Sequence, residues 1–327
     1  MKIIETTSDL TKIQKAAVLT IGNFDGLHIG HRKILSAARN IADKKNTKVV
    51  IMTFDPHPLV FLHPDKTPGI LTPVPLKKHL LEALDIDCRL VIKTNAEILN
   101  LSPHDFVQQF LVDGVQPAVV VEGEDFNFGV NRSGSIKTLQ SLGSDLGFEV
   151  VTVDAQKIDI PDGQTVRISS TMIRYMLKSG NVTDAAMALG RPYRLIGKVI
   201  PGRGKGKQLG YPTLNMQIPD QLIPAEAVYA GYVELADTFE NACTSNEQIP
   251  AVFSIGQART YGDDFPLLIE AHLLADNAQD LKGKFMAMDF IENIRTQHKF
   301  NTEKELANQI AKDCQQAKNI LNQSPAR

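Results

Sequence analysis

Residues 16–31 of the chain read AAVLTIGNFDGLHIGH. The first seven are apolar or β-branched and predict a buried strand, and apolar residues recur at helical spacing from Ile34 onward. Between strand and helix, Gly22 and Gly26 let the backbone approach a ligand closely, and the start of a helix presents free N–H groups to an anion. This stretch therefore predicts a phosphate-binding loop between a strand and a helix.

His28 and His31 form a His-x-Gly-His unit at the end of this loop. Their spacing differs from that of the helical HExxH zinc motif, and no acidic or cysteine ligands cluster beside them. Two imidazoles can instead donate hydrogen bonds or positive charge to a polyphosphate as negative charge develops on it. The alternative interpretation is a pair of surface histidines at a turn.

Strands and helices alternate through the first half of the chain. A helix is predicted over 29–45, and another starts at Ser102 as N-cap with Pro103 behind it and ends at Gly114. Alternation of this kind predicts an α/β fold with a doubly wound, Rossmann-like parallel sheet, whose ligands bind at the carboxyl ends of the strands. The strands are predicted at 16–22, 48–54, 88–93, 118–122 and 148–154.

The second half has a different pattern. Two short helices, 171–178 and 183–189, precede a run of short strands and a final helix over 301–322. Six strands without long helices between them predict a C-terminal antiparallel β-barrel, which the final helix closes. We therefore predict a division into residues 1–186 and 187–327. The strands are predicted at 194–200, 211–218, 227–235, 249–256, 267–274 and 284–291.

Charge and cysteine content exclude several classes of protein. The chain has 327 residues, with 35 basic against 37 acidic side chains, so it lacks the cationic surface of a nucleic-acid binder. Its 3 cysteines are far apart and predict neither a disulfide framework nor a metal site. No apolar run is long enough for a membrane span, and no signal peptide is recognisable. We expect a cytoplasmic protein with no nucleic-acid or membrane partner.

A second polar motif follows the last predicted strand of the sheet. Residues 168–174 read ISSTMIR and offer three hydroxyls and a guanidinium within one turn. Ser170 or Thr171 can be explained as a plain helix N-cap. Together with the His-x-Gly-His loop, however, this motif resembles the signature of the HxGH nucleotidyltransferase superfamily.

Further motifs narrow the resemblance to one family, the prokaryotic bifunctional riboflavin kinase/FAD synthetases. The resemblance covers the whole chain and implies that ATP, riboflavin, FMN and FAD are its substrates and products. The motifs are, in order, GNFDGLHIGH at 22–31, FDPHP at 54–58, GEDFNFG at 123–129, ISSTMIR at 168–174 and GRGKGKQLGYPTLN at 202–215.

In the first half the resemblance implies adenylyl transfer from ATP to FMN, assisted by Mg²⁺ or another divalent cation. His28, His31 and Arg174 would be the catalytic residues. The ATP side would be formed by Gly22, Phe24, Asp25, Ser169, Ser170 and Thr171. The flavin side would be formed by Pro56, Pro58, Asp125 and Phe128.

In the second half the resemblance implies phosphorylation of riboflavin. Glu270 would be the catalytic carboxylate, with Thr213 and Asn215 as ligands of the cation, since hydroxyl and amide oxygens suit Mg²⁺. The loop containing Gly202, Lys205 and Lys207 would cover the phosphates, and Arg295 would contact the flavin.

Four positions depart from the family pattern in the second half: Leu214, Ala227, Arg259 and Lys282. Leu214 adds bulk beside two predicted cation ligands, so we expect a weakened kinase. Two other functions are alternatives. One is an HxGH adenylyltransferase for another phosphate, such as nicotinate mononucleotide or phosphopantetheine, and the other is a flavin-binding regulatory protein without turnover.

Overall fold

A computed structural model describes residues 1–5, 10, 13–62, 64–160, 163–245, 247–257, 267–275 and 281–323. The chain divides into two compact units. The first unit contains Met1–Pro68 and Lys77–Ser169, and the second contains Gly69–Leu76 and Ser170–Arg327.

The first unit is built on a parallel sheet of six strands. The strands of this sheet, in chain order, are β1 Lys2–Ile4, β2 Val18–Ile21, β3 Val49–Asp55, β4 Cys88–Lys93, β5 Val119–Gly123 and β8 Glu149–Val153. Two separate two-stranded sheets are formed by β6 Asn127–Phe128 with β7 Gly134–Ser135, and by β9 Lys157–Asp159 with β10 Thr165–Arg167. The order across the sheet is β1-β4-β3-β2-β5-β8. All five predicted strands are confirmed, and β1 is an addition that its three residues were too few to reveal.

The sheet is covered on both faces, as the Val- and Ile-rich strands predict. Leu19, Val50 and Leu90 pack in a core on one face, whereas Val18 and Ile51 pack in a separate core on the other. The helices of this part of the chain are α1 Ile29–Lys44, α2 Pro58–Leu62, α3 Val74–Glu82, α4 Ala96–Leu99, α5 Pro103–Phe106 and α6 Ile136–Leu146. The doubly wound architecture is confirmed.

The predicted helix from Ser102 begins as expected but ends differently. The Ser102 hydroxyl accepts a hydrogen bond from the backbone N–H of Asp105. Gly114 is not the stop, because it lies inside the π-helical segment Val107–Val115. The left-handed residue that ends the segment is Gln116, with φ of 52°.

The second unit contains a closed antiparallel barrel of six strands, which confirms the predicted fold. Two helices, α7 Ser170–Lys178 and α8 Val182–Leu189, precede it. The barrel elements are β11 Tyr193–Ile200, α9 Lys205–Gln208, β12 Leu214–Met216, β13 Ala227–Ala236, α10 Phe239–Thr244, β14 Ile249–Gln257, β15 Leu267–Leu273, β16 Phe285–Thr296 and α11 Glu303–Gln323. The order around the barrel is β11-β12-β15-β14-β13-β16.

Large aromatic side chains fill the barrel interior. The ring of Phe290 lies 5.2 Å from that of Tyr229 and 5.1 Å from that of Phe253, measured between centroids. Neighbouring residues along the strands point outward. Val228 and Val252 therefore lie on the outer face, where the buried residues Cys314, Ala317 and Leu321 of α11 pack against them. The predicted closing helix is confirmed.

The two helices before the barrel affect the division of the chain. A glycine in the left-handed conformation follows each helix, Gly180 with φ of 79° and Gly190 with φ of 69°. Both helices belong to the second compact unit, which resumes at Ser170. The predicted division after residue 186 falls inside α8, and as a division between the two activities it stays a prediction.

Candidate functional site

The loop after β2 turns sharply before α1. Phe24, Gly26 and Leu27 all have positive φ, of 48°, 89° and 41°. Two hydrogen bonds of Asn23 hold the start of the loop in place. Its side-chain oxygen accepts from the N–H of Phe54 at 3.3 Å, and its backbone carbonyl accepts from Nζ of Lys77 at 2.9 Å. The loop lies between β3 and β5, where the strand order reverses and parallel sheets bind their ligands.

His28 and His31 lie together at the start of α1. Nδ1 of His28 caps the helix by accepting the N–H of His31 at 3.1 Å, and the two rings stack with centroids 3.6 Å apart. A Cβ on Gly30 would lie 3.2 Å from that Nδ1, so glycine keeps the space for the ring. Because Nδ1 accepts, the neutral His28 ring carries its proton on Nε2, where it can be donated to a phosphate oxygen.

The environment of His31 favours an anionic ligand. Burial of the ring lowers the pKa of His31 well below its usual value of 6.5, and repulsion from a protonated His28 and from Lys77 lowers it further. Its imidazole is therefore neutral at pH 7 and acts as a hydrogen-bond donor or acceptor rather than a fixed charge. The negative charge of a bound phosphate would favour the protonated form of the ring and so raise its pKa.

A carboxylate that the sequence did not single out supports this loop. Glu122 on β5 is only 3% exposed, and its Oε1 accepts from the backbone N–H of Ile21 and the hydroxyl of Thr20. Burial, with the nearby charge of Asp125, raises the pKa of Glu122 well above 4.5, although both hydrogen bonds oppose the shift. Within the run VVVEG this glutamate gives no periodic signal, so only the fold reveals that it ties β5 to the end of β2.

We expect Glu122→Gln to stabilise the protein at neutral pH, because the amide keeps an acceptor for both donors and removes a carboxylate from a dry site. The raised native pKa means that the folded state binds more protons than the unfolded state above about pH 4.5, so the native protein loses stability as pH rises. Thermal unfolding from pH 4.5 to 8 should show the variant's advantage in Tm growing with pH. A constant difference would contradict this account of Glu122.

Two further predicted motifs follow strands that flank β2, and parallel strands bring their carboxyl ends to one sheet edge. Pro56 and Pro58 follow β3, and the carbonyl of Pro56 accepts the hydroxyl of Thr94. Asp125 follows β5 and forms an ion pair with Arg167, a residue that the sequence did not single out.

Phe128 is more buried than a residue in direct contact with flavin would be expected to be. It is 7% exposed and packs with Phe106 and Phe126 at centroid distances of 5.7 and 5.5 Å. Its ring belongs to the core beneath the sheet edge. A direct role for Phe128 in holding flavin stays a prediction.

The ISSTMIR motif spans the end of one unit and the start of the next. Ser169 closes the first unit, while Ser170, Thr171 and Arg174 lie in the first turns of α7 in the second. Nε of Arg174 donates to the carbonyl of Gly69, in the same unit, at 2.8 Å. Binding of pyrophosphate by these residues stays a prediction.

In the second unit a cavity lies on the outer face of the barrel, bordered by the loop after β11 and by α11. Its lining includes Arg203, Lys205, Tyr211, Thr213, Val252, Glu270, His272, Arg295, Phe300, Leu306, Ile310 and Asp313. Lys207 is exposed and does not line it. This cavity collects the catalytic carboxylate and one of the two cation ligands predicted for the kinase half.

Glu270 is positioned by Asn215 on β12 and by Thr213 just before that strand. It pairs with Asn215 across the strands, and its Oε1 accepts the hydroxyl of Thr213 at 3.3 Å. Burial raises the pKa of Glu270, while the Thr213 hydrogen bond and the charge of Arg203 oppose the rise. A carboxylate with a raised pKa is a better general base near neutral pH than an exposed one.

Two glycines let the loop after β11 pass close to Asn215 and Tyr211. A Cβ on Gly202 would lie 2.2 Å from Nδ2 of Asn215, and one on Gly206 would lie 2.4 Å from the carbonyl of Tyr211. Only glycine allows both approaches, because backbone and a buried amide cannot move away easily. The loop is therefore shaped to pass directly over Asn215.

Three of the four departures from the family pattern, Leu214, Ala227 and Lys282, do not line this cavity. Leu214 pairs with Ala271, so both point to the face of the sheet opposite to Thr213 and Glu270. Ala227 likewise alternates with Val228, which lines the cavity. Lys282 is exposed in a turn, and Arg259 lies outside the described residues. The expectation that Leu214 obstructs the cation ligands is wrong.

Leu214→Ala should therefore leave the rate of FMN formation from riboflavin within about twofold and lower the Tm, because it removes a half-buried side chain without opening the cavity. Steady-state kinetics and thermal unfolding of the same preparation would check both. A several-fold gain in rate would restore the crowding explanation.

Comparison with known proteins finds two family models and several curated relatives that match this chain. The family model for FAD synthetase matches residues 10–172 and that for riboflavin kinase matches residues 189–321. The bifunctional riboflavin kinase/FMN adenylyltransferase of Escherichia coli strain K12 is 33% identical over 96% of each chain. The protein of that name from Bacillus subtilis strain 168 is 33% identical over 93% of this chain and 92% of its own.

A solved structure shares the whole fold. It is described as a macrolide-efflux protein from Streptococcus pneumoniae and is 25% identical, with a TM-score of 0.82 over 98% of this chain and 99% of that chain. Among the described residues, no helix combines the length and the apolar character needed to cross a membrane.

Proposed function

This chain belongs to the bifunctional riboflavin kinase/FMN adenylyltransferase family, and from that premise we propose which residues perform each of its two reactions. The chain phosphorylates riboflavin to FMN and then transfers an adenylyl group from ATP to FMN, giving FAD and pyrophosphate. Matches along both halves decide against the two alternatives, an adenylyltransferase for another phosphate and a flavin-binding protein without turnover.

We assign adenylyl transfer to the loop between β2 and α1. A phosphate oxygen of FMN attacks the α-phosphorus of ATP, and the bond from that phosphorus to the pyrophosphate oxygen breaks. Such transfers need alignment and stabilisation of charge more than covalent chemistry. The stacked His28 and His31 at a helix N-terminus can donate hydrogen bonds to the phosphate as charge develops.

We assign riboflavin phosphorylation to the barrel cavity. The terminal hydroxyl of riboflavin gives its proton to Glu270, its oxygen attacks the γ-phosphorus of ATP, and ADP leaves. The observation that carries this assignment is the partly buried Glu270 beside Thr213, in a cavity bordered by a glycine-rich basic loop. Lys205 in that loop supplies positive charge toward the phosphates.

The residues of this cavity fit a divalent cation. Thr213, which lines the cavity, offers a hydroxyl oxygen. Asn215 is buried and pairs with Glu270 across the strands, and it offers an amide oxygen against which only glycine at position 202 leaves room. Mg²⁺ commonly uses few protein ligands and takes the rest from water and substrate phosphates. Held by these residues, Mg²⁺ would neutralise charge on the phosphates of ATP.

We place the enzyme in the cytoplasm. Cys88, Cys243 and Cys314 are all buried free thiols, which supports a reducing compartment.

The assignment is tested by incubating the purified protein with riboflavin, ATP and Mg²⁺ and separating the flavins by chromatography. We expect FMN to appear first and FAD to follow, with one pyrophosphate released for each FAD. FAD formation without pyrophosphate, or none from added FMN, would contradict the assignment.

A further inference from the structure

An arginine–carboxylate pair connects the barrel to the helix that borders the kinase cavity. Nε of Arg295, on β16, lies 3.0 Å from Oδ1 of Asp313, and the terminal nitrogen NH2 lies 2.7 Å from Oδ2. Asp313, on α11, is 3% exposed, and its Oδ1 also accepts from Nε2 of Gln309 at 2.8 Å. This bidentate, buried geometry fixes the carboxylate and guanidinium against each other.

The same guanidinium also holds the segment between β16 and α11. Its other terminal nitrogen donates to the carbonyl of Thr296 at 3.0 Å, and its carbon lies 5.8 Å from the centroid of the Phe300 ring. Arg295, Phe300 and Asp313 all line the cavity. One side chain thus connects a strand, the connecting segment and the helix around the same space.

Asp313 stands where the packing of α11 changes. C-terminal to it, Cys314, Ala317 and Leu321 are buried against the barrel. N-terminal to it, Leu306 and Ile310 are half-buried and line the cavity. The pair is therefore at the point where the firmly packed part of the helix becomes a wall of the cavity.

We propose that the Arg295–Asp313 pair is a positioning device that sets the distance between the apolar wall of α11 and Glu270, and so determines the affinity of the kinase site for riboflavin. Arg295 acts through Asp313 and Phe300, because Nε and NH2 of its guanidinium are engaged by Asp313. This differs from the flavin contact that the resemblance implies for Arg295. The proposal rests on the assignment of this cavity to riboflavin phosphorylation.

The test is Arg295→Lys, which keeps the charge and loses the two-point geometry. We expect KM for riboflavin to rise by about 10-fold or more, because a displaced apolar wall loses packing against the bound substrate equally in the ground state and in the transition state. The value of kcat should change much less, since Glu270 and Thr213 are untouched. Asp313→Asn should give the same KM-against-kcat pattern, and the double variant should be no worse than the more affected single variant.

A second arginine pair in the same barrel provides a matched control. Arg194 binds Asp289 in the same two-point fashion, at 2.9 and 2.7 Å, and neither residue lines the cavity. Arg194→Lys should lower the Tm and leave KM for riboflavin unchanged. An equal rise in KM in this control would show a general loosening of the barrel and overturn the proposal.

Two other results would also overturn the proposal. The first is an unchanged KM for riboflavin in both Arg295→Lys and Asp313→Asn. The second is a loss of kcat at unchanged KM, which would mean that the pair contacts the reacting groups directly. Thermal unfolding shows whether each variant is folded. If one of the two variants does not fold, the KM and kcat of the remaining folded variant decide. Riboflavin affinity is also measured by fluorescence quenching without ATP. If the unmodified protein binds riboflavin but forms no FMN, the function assignment fails, and the quenching data still test the pair.

Discussion

FAD formation should fall by a factor on the order of 10²–10³ when His28 or His31 is replaced by alanine, the scale of losing one donor that stabilises charge in a transition state. His28 contributes twice, as cap of α1 and as a ring stacked on His31, so its loss also frees the N–H of His31. The measurement is the initial rate of pyrophosphate release with FMN and ATP.

The second activity of the same chain is the internal control for these two variants. FMN formation from riboflavin should stay at the rate of the unmodified protein. His104→Ala is a matched control, because His104 is exposed and lies outside the loop. Unchanged pyrophosphate release in both His28→Ala and His31→Ala would remove the imidazoles from the mechanism.

Glu270→Gln should lower riboflavin phosphorylation by about 10²–10⁴-fold, the usual contribution of a general base. The amide keeps an acceptor for the Thr213 hydroxyl and removes the group that takes the proton. In the unmodified protein the rate of phosphorylation should fall as pH drops through the raised pKa of Glu270, because the protonated carboxyl cannot accept a proton. That acidic limb should be absent from the residual activity of the variant.

The control for this variant is Glu292→Gln, which changes an exposed glutamate on β16. It should phosphorylate riboflavin normally, and both variants should convert added FMN to FAD at the unmodified rate. A loss of both activities in Glu270→Gln would point to unfolding, which the Tm would reveal. Normal FMN formation with intact folding would show that another group is the base.

Much of the fold follows from local patterns. The Val- and Ile-rich runs predict β2 to β5 because strands buried on both faces must be apolar throughout. Asn301 or Thr302 as cap, followed by Glu305, predicts the start of α11. In the structure the cap is Thr302, whose hydroxyl accepts the N–H of Glu305, while the Glu305 carboxylate accepts the N–H of Asn301. The glycines and histidines at the start of α1 are themselves sufficient to predict a phosphate-binding loop, without knowledge of the rest of the fold.

Features that depend on distant parts of the chain were not predictable in this way. Glu122 meets Ile21 across 101 residues, and neither position carries a signal of the contact. The side of β12 that Leu214 occupies depends on strand register, so the closeness of Leu214 to the motif in sequence does not place its side chain in the site. Arg295 matched a family position, but its partner Asp313 lies on a helix whose docking only the tertiary structure defines.

The central claim is that one chain holds two separate sites that act in succession, and a mixing experiment tests it most directly. The His28→Ala variant should convert riboflavin and ATP to FMN and stop there, whereas Glu270→Gln should leave riboflavin largely unchanged. When the two variants are mixed with riboflavin, ATP and Mg²⁺, FMN released by the first can be used by the second, so FAD should accumulate at a substantial fraction of the unmodified rate. No FAD in the mixture, although each variant retains its expected single activity, would contradict two independent sites.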